Sequence, residues 1–223
     1  MVRFGSSNPA FMPILVRVLP FGAYIGFLAL ARLIPDPLLS YAIRIAVVGG
    51  LLLVFAGHYL ELRNTRKTSQ REWLIALAGG AVVFVVWINL DVPWLSFGQK
   101  PTFEPTLANG QLDWQMVAVR VFGAAAVVPI MEELFWRSFL MRSIDRSDFL
   151  AVQPSSTSKM ALLASSVLFG FEHELWFAGV LAGLVYGWLY MRTSNLWVPI
   201  FAHGLTNFLL AAWIISTGNW QFR

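Results

Sequence analysis

Residues 118–140, AVRVFGAAAVVPIMEELFWRSFL, have the length and apolar character of a membrane-crossing helix, yet they carry two adjacent glutamates, Glu132 and Glu133. The other polar residues of the stretch are Arg120, Arg137 and Ser138. A hydrocarbon core about 30 Å thick takes roughly 20 residues of helix. A charged side chain at its centre costs roughly 2.5–3.5 kcal/mol on insertion scales. Two carboxylates in succession need a compensating role, and chemistry inside the membrane is the first candidate.

The whole chain agrees with a bilayer as its solvent. It has 223 residues, of which 57% are hydrophobic and 13% charged, and a mean hydropathy of +0.65. Soluble domains carry about 25% charged residues, so this chain has too little polar surface to solvate a globule. The expected fold is all-α, a polytopic transmembrane helical bundle of about seven spans, within a range of six to eight. Apolar runs at 12–34, 38–60, 73–90 and 115–141, with 160–173, 175–191 and 196–217 in a punctuated C-terminal region, supply the seven. One integral membrane domain is expected, with 1–114 contributing N-terminal spans and an interfacial loop and 115–223 forming a catalytic core. Ten Trp and eighteen Phe suit the headgroup boundary. The absence of cysteine removes disulfides, thiolate metal sites and cysteine nucleophiles. The net charge of +4 fits membrane orientation rather than nucleic acid. The first apolar stretch lacks a small-residue cleavage site and reads as a span, not a cleaved signal.

Basic residues set the orientation. Arg63, Arg66, Lys67 and Arg71 follow the second span, which places that loop in the cytoplasm. Arg142, Arg146, Lys159 and Arg192 then fall inside as well, with Arg32 the exception, and the 91–114 loop lies outside. Trp94, Phe97, Phe103 and Trp114 make that loop an aromatic interfacial anchor, with a substrate-handling lid as the alternative. Arg17, Arg44 and Arg120 lie near span ends, where long basic side chains snorkel to headgroups. Gly179, Gly183 and Gly187 form a small-residue stripe suited to close packing within the bundle. His58 reads as incidental, and Glu172 and Glu174 as loop residues.

Helical geometry separates the two glutamates. Glu133 and Arg137, at i and i+4 with the acid on the N-terminal side, share a face and form a structural lock. Glu132 is rotated by about 100° and is expected to face a polar cavity. Pro129 donates no backbone hydrogen bond, which frees the Ala125 carbonyl and is expected to kink the helix. Two later spans offer partners at the same spacing, Phe169 with His173 and His203 with Asn207.

The ordered motifs Glu132-Glu133-Leu-Phe-Trp-Arg137, Phe169-Gly-Phe-Glu-His173 and His203-Gly-Leu-Thr-Asn207 resemble the CAAX-protease and bacteriocin-processing (CPBP or Abi) family of intramembrane proteases. The resemblance covers residues 115–212 and is nearest the bacterial CAAX prenyl protease-related branch that accompanies exosortase sorting systems. It implies an endopeptidase in which Glu132 and His173 activate water while His203 and Asn207 stabilise the oxyanion, supported by Glu133, Arg137 and Phe169. It further implies a membrane-associated protein or peptide substrate, a link to an exosortase system, and residence in a bacterial cytoplasmic (inner) membrane. No cofactor is expected. A zinc site of Glu132, His173 and His203 with an open fourth position is the alternative. Two other functions use the same buried groups, a proton or solute transporter and a membrane immunity or scaffold protein without catalysis.

Overall fold

The computed structural model describes residues 11–63, 67–97, 104–107 and 109–220. Arg66 and Phe103, and the side chain of Arg32, lie outside the described residues. Among the described residues seven long helical segments follow in chain order: α1 (Phe11–Leu30), α2 (Pro37–Val54), α3 (Gln70–Asn89), α4 (Trp114–Asp145), α5 (Lys159–Phe171), α6 (Trp176–Thr193) and α7 (Trp197–Thr217). Among the described residues the only β pairing is an isolated bridge between Thr106 and Leu112. Five of the helices are long and apolar enough to cross a bilayer. The protein is a multi-pass membrane helical bundle, and its segments fall on the seven expected runs.

Four of the helices, α2 to α5, begin where the sequence supplies a side-chain cap. Asp36 accepts from the Leu38 and Leu39 amides ahead of Pro37, and Ser69 with Glu72 forms a capping box at α3. Asp113 caps α4 through the Met116 amide. Ser158 caps α5 through Ala161 and is itself held by Asp145. Leu53, Val54, Leu74 and Val82 are exposed on the outside of the bundle, the side that meets lipid.

α4 is not uniformly α-helical. Gly123–Val127 and Leu134–Met141 are π-helical, with an α-helical turn, Val128–Glu133, between them. Pro129 sits just after the first wide stretch. In α geometry its missing amide would have served the Ala125 carbonyl, and in π geometry the Ala124 carbonyl. Both carbonyls face α7. Asn207 Nδ2 donates to the Ala124 carbonyl at 2.8 Å. Gly204 lies so close to the Ala125 carbonyl that a Cβ there would stand 2.6 Å from the oxygen. The expected disturbance at proline is therefore a widened helix joined to α7, and the glycine is what permits the approach.

The glycine stripe packs α6 against α5, as expected. Gly179 rests on Gly170, Gly183 on Ser166 and Gly187 on Leu162. α5 has 13 residues, about 20 Å of helix, so it stops well short of a full crossing. The turn after it carries His173 below the end of the bundle, where Phe97 packs between Phe171 and Trp176 and bonds the Glu174 carbonyl.

The arginines correct the snorkelling expectation. Arg17 is 1% exposed. Its guanidinium makes a bidentate pair with Glu61 (Nε–Oε1 2.9 Å, Nη2–Oε2 2.6 Å) and donates to the Pro13 carbonyl. Arg142, also buried, donates to the Ser138 carbonyl at 2.5 Å and to the Ser138 hydroxyl at 2.7 Å. The Ser138 hydroxyl in turn donates to Glu61. Phe149 covers both cations. Burial alone would raise the Glu61 carboxyl, but the Arg17 guanidinium and the Ser138 hydroxyl hold it below the usual carboxylate range. Headgroup attraction loses here because Glu61, 44 residues along the chain, offers Arg17 a charge-assisted fork. Arg44 and Arg120 are likewise turned inward, to the cavity described below.

Candidate functional site

A cavity of about 910 Å³ runs into the bundle and is lined by Glu132, Phe169, His173, His203 and Asn207. α4, α5 with the turn after it, and α7 each deliver part of this set. Its outer reach is formed by Ile34 and Pro35 of the α1–α2 turn, Pro105, and Trp220 beyond α7. These lie at the end of the bundle opposite the basic segments.

The two glutamates take different positions, as their rotation requires. Glu133 is fully buried behind the cavity wall, with Arg137 Nη1 3.0 Å from its Oε1. The same oxygen meets His203 Nδ1 at 3.0 Å. Glu133 is thus the hinge between the α4 arginine and the α7 histidine, a second role that the i,i+4 spacing did not reveal. Arg137 lies 4.3 Å from the Phe169 ring centroid and 5.4 Å from that of Tyr186. Glu132 points into the cavity, and its buried Oε2 has no hydrogen-bond partner within the protein. His203 Nε2 stands 3.9 Å from that oxygen.

Each histidine is oriented through its Nδ1. His173 Nδ1 lies 2.8 Å from the Phe169 carbonyl, which can only accept, so the proton is on Nδ1 and the neutral ring leaves Nε2 as an acceptor. His203 uses Nδ1 on Glu133, which leaves Nε2 for the Glu132 side. Its ring stacks on Tyr186 at 4.9 Å, and the Tyr186 hydroxyl donates to Thr206, which bonds the Gly80 and Ala202 carbonyls. Trp87 meets the His173 ring edge-on at 5.4 Å. Phe169 contacts the His173 ring at 4.6 Å and the His203 ring at 6.1 Å. The Asn207 amide spends one N–H on Ala124 and has a second remaining.

The sequence did not single out Tyr186, Thr206, Trp87 or Tyr24. Each is an apolar or weakly polar residue of an apolar span, with no spacing that marks it. Glu172, read as a loop residue, accepts from Trp136 Nε1 at 3.1 Å. His58 is exposed, away from the site.

The zinc alternative can be tested on donor placement. Among the described residues no three His, Cys, Asp or Glu side chains converge to hold a metal ion. As placed, Glu132, His173 and His203 do not fit one. What the arrangement offers is a buried carboxylate beside imidazole nitrogens and a spare amide N–H, in a cavity large enough for a short peptide segment.

Residues 114–209 match the family described as Type II CAAX prenyl endopeptidase Rce1-like. A curated Bacillus subtilis protein named "Putative membrane peptidase YdiL" is 33% identical over 153 residues, 66% of this chain and 58% of the relative. The chain thus spans less than two thirds of that relative's length. No solved structure matches the chain. The family match encloses Glu132, Glu133, Arg137, Phe169, His173, His203 and Asn207. Over residues 114–209, the chain is thus similar to the Rce1-like CAAX-protease family.

Proposed function

We propose that the protein is an intramembrane endopeptidase that hydrolyses a peptide bond with a water activated by Glu132. The observation that carries this reading is the unpartnered carboxylate oxygen of Glu132, buried in a cavity shared with His173, His203 and Asn207. An orphaned buried acceptor calls for a ligand or a water, and a carboxylate beside a water is a general base.

In this mechanism Glu132 takes a proton from water as the oxygen attacks the carbonyl carbon. His173, with its free lone pair on Nε2, helps to hold that water. His203, as an imidazolium whose Nδ1–H is held by Glu133, would present its Nε2–H, and Asn207 its second N–H, to the developing oxyanion. Glu132 then returns its proton to the leaving amine. Glu133 and Arg137 hold the His203 ring and do not touch the reacting atoms. With the basic loops cytoplasmic, the cavity reaches toward the opposite face, so substrate enters from the non-cytoplasmic side.

Comparison of membrane and secreted proteomes from wild-type and Glu132→Gln cells tests the reading. A new protein terminus present only in wild type is expected, along with equal amounts of both proteins in the membrane. Identical termini in the two strains would refute it. Cleavage by purified, metal-free protein in the presence of a strong chelator is the expected result for the water-and-carboxylate mechanism, and its loss would favour zinc.

A further inference from the structure

Arg44 has no part in the hydrolytic machinery, yet it lines the same cavity. It lies seven residues into α2 from Pro37, about 10 Å along the axis. Its guanidinium carbon is 4.8 Å from the ring centroids of both Tyr24 and Tyr41. The Tyr41 hydroxyl is turned away, donating to the Arg120 carbonyl at 3.2 Å. Arg44 Nε is buried and has no hydrogen-bond partner. Among the described residues no carboxylate forms an ion pair with Arg44. Among the described lining residues the single acid is Glu132, and Tyr24 lies within electrostatic range of both it and Arg44.

A guanidinium beside two aromatic rings has its faces occupied and its in-plane N–H edge left for acceptors, the geometry that carboxylates match with two parallel hydrogen bonds. Contact with the rings offsets part of the cost of burying the cation and leaves the donors unmet. A buried cation without a counter-ion is expensive within a membrane. The fully buried arginines show the alternative, since Arg17 has Glu61 and Arg137 has Glu133. Arg44, its Nε without a partner, lines the space a substrate fills.

We infer that Arg44, flanked by Tyr24 and Tyr41, is a specificity-determining anion subsite that binds a carboxylate of the peptide substrate. The inference rests on the peptidase reading for the identity of the ligand, because a peptide that reaches Glu132 carries carboxylates as its commonest anions. A charge-assisted hydrogen bond within a desolvated site discriminates about ten- to hundredfold against a neutral isostere.

The test is binding, not turnover. The probes are N-acetylated apolar hexapeptides that carry a single carboxylate at each position in turn, the C-terminus included, each matched with its amide isostere. They are titrated against full-length protein in phosphatidylcholine nanodiscs, in a Glu132→Gln background so that no probe is consumed. At one position the carboxylate peptide is expected to bind at least tenfold tighter than its amide. Arg44→Gln removes that preference, whereas Arg44→Lys, which keeps the charge but loses the fork, retains part of it. The lysine variant also guards against misfolding of the glutamine variant. A preference equal in Arg44→Gln, or none at any position, overturns the inference. So does a phosphatidylglycerol molecule that copurifies with wild type and is lost in Arg44→Gln, which would assign the subsite to lipid phosphate. A failure of hydrolysis alone would sink the peptidase reading and leave this binding result intact.

Discussion

α4 carries two buried polar centres, one near each end of the bundle, and they are built on opposite plans. Toward the basic end, Ser138 and Arg142 join Arg17 and Glu61, and every heteroatom of the Ser138 hydroxyl and the Glu61 carboxylate is engaged. A little over one turn away, Glu132 Oε2 and Glu133 Oε2 are buried without a hydrogen-bond partner, and so is Arg44 Nε across the cavity. A saturated cluster stabilises and specifies a packing arrangement. An unsaturated one keeps its donors and acceptors available for something that comes and goes. The same residue types thus serve two ends, and the difference lies in which hydrogen bonds are left open.

Substitutions can break that contrast. The largest effect is expected from Glu132→Gln, which should lower the rate of peptide hydrolysis by about 10²–10⁴, with no fall in melting temperature in nanodiscs. A matching loss of stability would place Glu132 with the structural cluster instead. Glu61→Ala should do the opposite. It leaves Arg17 and Arg142 buried around a missing acid, which destabilises by about 3–5 kcal/mol, read by steric-trap or denaturant unfolding. The turnover of the molecules still folded should be unchanged.

Asn207→Ala should slow hydrolysis by about 10²–10³, the usual cost of an oxyanion donor, with little change in peptide affinity. An effect confined to affinity would move Asn207 out of that role. The smallest effect is acid sensitivity. Because the Glu61 pKa is lowered on folding, its contribution is fully present above the unfolded carboxylate value and is lost as pH falls through the folded one. A melting temperature that declines on acidification, with this part of the decline missing in Glu61→Gln, is the expected record.

Much of this organisation was legible in the sequence. Spans follow from apolar length, and the faces of Glu132 and Glu133 follow from helical rotation over the six residues Val128–Glu133 that are α-helical. The motif spacing gathered Phe169, His173, His203 and Asn207 about one cavity. Arg17 and Arg44 were misread because proximity to a span end suggests snorkelling, while the groups that draw them inward lie elsewhere in the chain. Glu61 is 44 residues from Arg17, and Tyr24 lies on the preceding helix. The π-helical stretches escaped for a related reason. Pro129 announces a missing hydrogen bond but not how the chain absorbs it, and that depended on Gly204 and Asn207 of α7.

The Asn207–Ala124 bond has a mechanical consequence. It ties α7 to the helix that presents Glu132, eight residues downstream of Ala124. The group that would greet the negative charge and the group that would create it are consequently mounted on a common strut. Thermal breathing of the lipid around them shifts both together, so the distance between Glu132 and Asn207 is set by a peptide carbonyl and not by the fluidity of the bilayer.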